Sequence, residues 1–111
     1  MYGKTQKHFV EDLRGAMNDA LDIVEKKNTD YATEADPYKN FRFSQLINIG
    51  VEKAILQRVC DKMARVNNVI ERGEVAVKDE TVTDTLLDII NYIAILKVYI
   101  DWEKEREQGE V

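Results

Sequence analysis

The 111-residue chain holds one cysteine, Cys60, one histidine, His8, one proline, Pro37, and one tryptophan, Trp102. A lone cysteine excludes an intrachain disulfide, and the usual Cys/His zinc site has no ligand set. A metal here would be a hard cation held by carboxylate oxygens. No stretch approaches the ~18 uninterrupted apolar residues of a membrane span, and Met1 to His8 contains no apolar run of signal-peptide length, so a cytoplasmic location is expected. Positive charge is also in deficit. The net charge of −5 argues against wrapping duplex DNA, which requires a basic surface, whereas a local cluster of Lys and Arg on an acidic protein still suits a small anionic ligand.

Charged residues make up 33% and apolar residues 44% of the chain, interspersed as in a globular protein, and the length suits a single domain spanning 1–111. Three helical stretches account for most of it. The first runs from about Thr5 to Lys27, with Phe9, Leu13, Met17, Ala20 and Val24 at three- and four-residue spacing. The second begins near Ser44 or Gly50 and passes through Val51, Ile55, Val59, Met63, Val66 and Ile70 to Gly73, a residue suited to the left-handed turn after a helix. The third opens at Asp79-Glu80-Thr81 and runs to about Gln108. From Leu86 to Ile100 it is apolar almost all round, more than one stripe can hold, so it needs two packing faces. The expectation is an all-α bundle of three long helices completed by homodimerisation, with a monomeric three-helix bundle as the alternative. Between the first two helices, Asn28 to Phe43 is the one long irregular segment, and its four aromatics, Tyr31, Tyr38, Phe41 and Phe43, argue for order.

Asp88 sits within Leu86-Leu87-Asp88-Ile89-Ile90, where burial of its carboxylate demands a partner. Glu80, Asp84 and Asp88 share one helical face, and Arg58, Asp61, Arg65 and Asn68 form a polar stripe on the second helix. Facing each other, these stripes pair Arg58 and Arg65 with Asp84 and Asp88. In one reading Asp61, Glu80, Asp84 and Asp88 hold Mg²⁺ while Arg58, Lys62 or Arg65 grips the phosphates of a nucleotide. In the other the charges form an ion network that sets helix register. Lys27, Asp30, Tyr31, Lys39, Asn40, Phe41 and Arg42 combine flat rings with cations and amides, the groups needed to stack a base and hold its edge or phosphate. In the alternative, which the frequency of aromatic clusters in cores favours for the rings alone, Tyr31, Phe41 and Phe43 plug the open end of the bundle. Tyr92, next to Asn91, either packs in a helix seam or reaches this polar site. Cys60 is expected to be a small buried hydrophobe.

The series Lys27-x-x-Asp30-Tyr31, Asn40-Phe41, Gly50, Arg58-x-x-Asp61-Lys62-x-x-Arg65 and Asp79-Glu80-x-x-x-Asp84-Thr85-x-x-Asp88-x-x-Asn91-Tyr92 resembles the nucleotide modification associated domain 1 family of phages and bacteria, over roughly Lys26 to Leu96. A more distant similarity is to MazG-type all-α nucleoside triphosphate pyrophosphohydrolases. Asp84-x-x-x-Asp88 followed by Ile89-Ile90-Asn91-Tyr92 looks like the second of their acidic helices. Their paired glutamates on the first have no counterpart in Glu52-Lys53-Ala54-Ile55 or Arg58-Val59-Cys60-Asp61. The resemblance implies a role in phage or bacterial nucleotide or DNA-base modification; together with the helix pattern and the polar stripes, the expectation is a homo-oligomer that binds a nucleotide. If it is an enzyme, the expected reaction is Mg²⁺-assisted attack of water on a nucleotide phosphate. The alternatives are a non-catalytic sponge that sequesters a nucleotide second messenger of host immunity, and a structural helical module.

Overall fold

The computed structural model describes residues 3–30, 36–73 and 80–109, without the side chains of residues 28–30, 80 and 81. Regular structure among them is entirely helical: α1 (Gln6–Asp30), the single turn α2 (Lys39–Arg42), a 3₁₀ turn (Phe43–Ile47), α3 (Val51–Glu71) and α4 (Glu80–Gly109). The fold is therefore all-α, and part of the expected irregular segment is itself helical. Tyr31 lies outside the described residues.

The punctuation follows the backbone requirements of particular residues. Asn48 adopts a left-handed conformation at φ 61° and closes the 3₁₀ turn by donating its N–H to the Gln45 carbonyl. Asparagine tolerates this region better than other side-chain-bearing residues. Gly73 follows α3 at φ 72°, its N–H donating to the Ile70 carbonyl, as its position in the sequence predicts.

Helix α4 packs against both α3 and α1. Along α3, Val51 and Ile55 meet Tyr99, while Lys62 meets Asp88. Residue numbers rise on one helix as they fall on the other, so α3 and α4 are antiparallel. The inward line of α3 is Val51, Ile55, Val59 and Val69, all buried, with Lys62 and Val66 half-buried between them. This corrects the sequence expectation, in which Met63 and Ile70 joined the core; both are more than half exposed. The repeat Ile55, Lys62, Val69 has seven-residue spacing, which keeps one line of α3 against its neighbour. Met63 and Ile70 lie one residue further on, about 100° round the helix. Cys60, expected inside, is exposed for the same reason.

The core is small and sits where Tyr38 meets α3 and α4. Tyr38, Val51, Ile55 and Tyr99 form its buried cluster, with Phe41, Tyr92, Ile95 and Leu96 packed around it. The radius of gyration is 17.2 Å, against about 13 Å for a compact domain of this length. The 30 residues of α4 span about 45 Å and outrun the core they cross. None of the described helices is long and apolar enough to cross a membrane.

Candidate functional site

The segment entering α2 is pinned to α4 before it reaches the site. The Asp36 carboxylate accepts the Tyr38 backbone N–H at 3.0 Å and pairs with the Arg42 guanidinium. This arrangement closes residues 36–42 into a compact turn. The bond from Arg42 holds the Asp36 carboxyl below the usual carboxylate range, and Asp36 in turn raises Arg42. Tyr38 is 5% exposed, and its hydroxyl donates to the Ile95 carbonyl at 3.2 Å. Its ring meets Tyr99 and Trp102 edge-on, at 5.0 and 5.7 Å between centroids. Burial pushes both the Tyr38 and Tyr99 hydroxyls up from their ordinary range.

Held this way, the turn roofs a cleft of about 370 Å³ between α1, α3 and α4. Its wall from α4 is Asp88, Asn91, Tyr92 and Ile95, whose spacing of three, four and seven places them on one helical face. Arg58 of α3, Lys27 with Ile23 and Val24 of α1, and Pro37, Asn40 and Phe41 of the roof complete it. Phe41 and Tyr92 meet edge-to-face at 6.2 Å and 83°. Each also carries a cation: the Arg58 guanidinium lies 5.1 Å from the Phe41 centroid, and Lys62 Nζ lies 6.0 Å from that of Tyr92. Lys62 Nζ is also 3.0 Å from Asp88 Oδ2. Among the described residues Asp88 is the one carboxylate lining the cleft, against Lys27 and Arg58 in the lining and Lys62 beside it. With Asp88 already neutralised by Lys62, the local balance is positive on an acidic chain, as anion binding requires.

Of the residues singled out from sequence, Lys27, Asn40, Phe41, Arg58, Asp88, Asn91 and Tyr92 come together in this cleft, and Lys62 joins them through Asp88. Others stand apart. Arg65 is exposed and does not line the cleft, Asp84 is exposed, and Asp61 accepts a hydrogen bond from Gln57 at 3.1 Å on the outer side of α3. Arg42 is engaged by Asp36. Asp30 ends α1 and Glu80 begins α4, with side chains outside the described residues. Among the described residues no three of His, Cys, Asp or Glu gather in a metal-holding group. The partner of Asp88 is Lys62 rather than Arg58 or Arg65, because Lys62 occupies the centre of the inward line of α3 while Arg58 flanks it over Phe41. Asp88 is also less enclosed than its aliphatic sequence neighbours imply, at 30% side-chain exposure, since those neighbours turn to other faces of α4. The walls Ile23, Val24, Pro37 and Ile95 had no chemical signal of their own; only the fold gathers them.

Neither a family model, nor a curated protein, nor a solved structure matches this chain.

Proposed function

We propose that the chain binds a nucleotide, or a nucleotide-like phosphate ligand, in the cleft between α1, α3 and α4, and acts as a homo-oligomer. The observation that carries this reading is the convergence of two aromatic rings, two side-chain amides and two cations, Lys27 and Arg58, on one cleft. Its size falls within the range of small-molecule sites. In this reading Arg58 and Lys27 hold phosphate oxygens, Asn40 and Asn91 hydrogen-bond the edge of the base, and the exposed side of the Phe41–Tyr92 pair contacts its face. The family resemblance directs the role toward phage or bacterial nucleotide or DNA-base modification.

Binding without turnover, as in a sponge for a nucleotide messenger, is the second reading. It is favoured by the engagement of Asp88, the single carboxylate among the described lining residues, by Lys62. Hydrolysis would need Asp61, Glu80, Asp84 and Asp88 to hold Mg²⁺ together, and Asp61 and Asp84 stand outside the cleft lining. A thermal-shift screen of nucleoside mono-, di- and triphosphates, cyclic nucleotides and cyclic dinucleotides, each with Mg²⁺ and with EDTA, tests both. A metal-independent shift, with the ligand recovered unchanged after denaturation, supports the sponge. A Mg²⁺-dependent shift with product recovered supports the enzyme. No shift across the panel refutes nucleotide binding and leaves the polar stripes as register-setting contacts.

A further inference from the structure

Helix α4 carries a second apolar line that the described residues leave open. Leu86, Ile93 and Ile100 recur every seven residues at 45%, 48% and 38% exposure. Each follows by one residue a member of the line facing α3, namely Thr85, Tyr92 and Tyr99, and is thereby turned about 100° round the helix. Ile89 and Leu96 lie half-buried between the two lines, completing the spacing of a seam that receives another helix. The surface area agrees. The chain exposes 9129 Å², whereas a compact monomer of 12.9 kDa exposes about 6,300 Å². The excess of roughly 2,800 Å² is shared with exposed apolar side chains elsewhere, such as Phe9 and Met17 of α1 and Leu46 of the 3₁₀ turn, and leaves ample room for the ~800 Å² that each partner contributes to a standard interface.

We propose that a second copy of this chain covers the line, with the two α4 helices antiparallel about a twofold axis at Ile93. The spacing is symmetric about Ile93, seven residues in each direction. An isologous contact therefore sets Ile93 against Ile93, and Leu86 of each copy against Ile100 of the other. A parallel pairing would align the helix dipoles; the antiparallel one opposes them. Asn91 and Ile95, which line the cleft, lie two residues either side of Ile93 and about 160° away round the helix. The dimer is thus back-to-back, with two clefts opening outward.

Sedimentation of the full chain over a range of concentrations is expected to give twice the monomer mass, and Ile93→Lys, a change at an exposed position, to give a monomer with the same helical circular dichroism. Cross-linking supplies the geometry independently of that variant's folding. On a Cys60→Ser background, Ile93→Cys is expected to oxidise to a covalent dimer, Leu86→Cys and Ile100→Cys to remain uncross-linked when alone, and an equal mixture of these two to cross-link. A wild-type monomer at every concentration, a dimer untouched by Ile93→Lys, or self-cross-linking of Ile100→Cys would overturn the proposal.

Discussion

Lys62 Nζ lies 3.0 Å from Asp88 Oδ2, tying the middle of α3 to the middle of α4 beside the cleft, with both side chains less than a third exposed. Removing one partner leaves the other charge in a partly desolvated place without compensation, whereas replacing both with apolar groups removes the problem. Lys62→Met is therefore expected to destabilise the fold by about 1–3 kcal/mol, and Lys62→Met with Asp88→Leu to recover most of that loss. Urea denaturation of the two single variants and the double variant measures the coupling. Additive losses would show that the pair is not an energetic unit.

Arg58 is exposed, and its described contact is the face of Phe41 at 5.1 Å. An exposed cation–π contact contributes about 0.5–1 kcal/mol, so Arg58→Ala should barely alter the melting temperature of the free protein. On the proposed reading it removes a phosphate contact, a charge-assisted bond of about 1.5–3 kcal/mol. Affinity for the best ligand of the nucleotide screen should then fall at least tenfold, with Arg58→Lys intermediate because it keeps the charge but not the flat fork. Titration calorimetry on the three proteins is the check.

How much of this was legible in the chain differs by level. The helices were, because Phe9 to Val24 and Val51 to Val69 carry their periodicity openly and Gly73 marks the end of α3. The polar chemistry of the cleft was legible in part, since Lys27 and Asn40 are hard to explain as core, whereas Phe41 and Tyr92 also pack against the core cluster and their place beside the cleft was not. The pairing was not. Spacing by three and four residues on α3 allows either a Met63–Ile70 line or an Ile55–Lys62–Val69 line to turn inward, and only the packing of α4 selects the second. The anchoring role of Tyr38 was likewise hidden, because its hydroxyl binds a backbone carbonyl 57 residues away, and a backbone group leaves no mark in the sequence.

That anchor is open to test. Tyr38→Phe deletes the hydroxyl that reaches the Ile95 carbonyl and keeps the ring against Tyr99 and Trp102, so it is expected to cost about 1 kcal/mol. Tyr38→Ala also empties the centre of the small core and is expected to cost about 3–5 kcal/mol. Chemical denaturation measures both, and equal losses would mean that the ring contributes nothing.

The raised hydroxyls of Tyr38 and Tyr99 predict alkaline sensitivity. Each native phenol holds its proton more tightly than the unfolded one, so their contribution to stability is complete below the unfolded value of about 10. It declines as pH rises past that value through the raised native one. Absorbance titration at 295 nm should show the Tyr38 and Tyr99 phenols ionising late and together with the loss of helical signal. Tyr38→Phe should remove one of these two late ionisations. Ionisation of this pair at the ordinary value, with the fold intact, would contradict its burial.

Asp36 predicts the opposite limb. Its pKa is lowered mainly by the bond from Arg42 and further by the Tyr38 N–H, so the native state releases this proton more readily than the unfolded chain does. The resulting stabilisation is present above the unfolded value of about 3.9 and is lost as pH falls through the lower native one. Both side chains are more than a third exposed, and solvent screening limits the contribution to under about 1 kcal/mol. The larger consequence falls on the roof of the cleft, because the same carboxylate closes the turn that carries Asn40 and Phe41. Asp36→Asn keeps an acceptor for the Tyr38 N–H while discarding the charge. It is expected to flatten the acid limb of the stability curve and to speed amide exchange at residues 38–42, with little change in the middle of α3. Exchange that rises equally along α3 would show that Asp36 supports the whole fold rather than this turn.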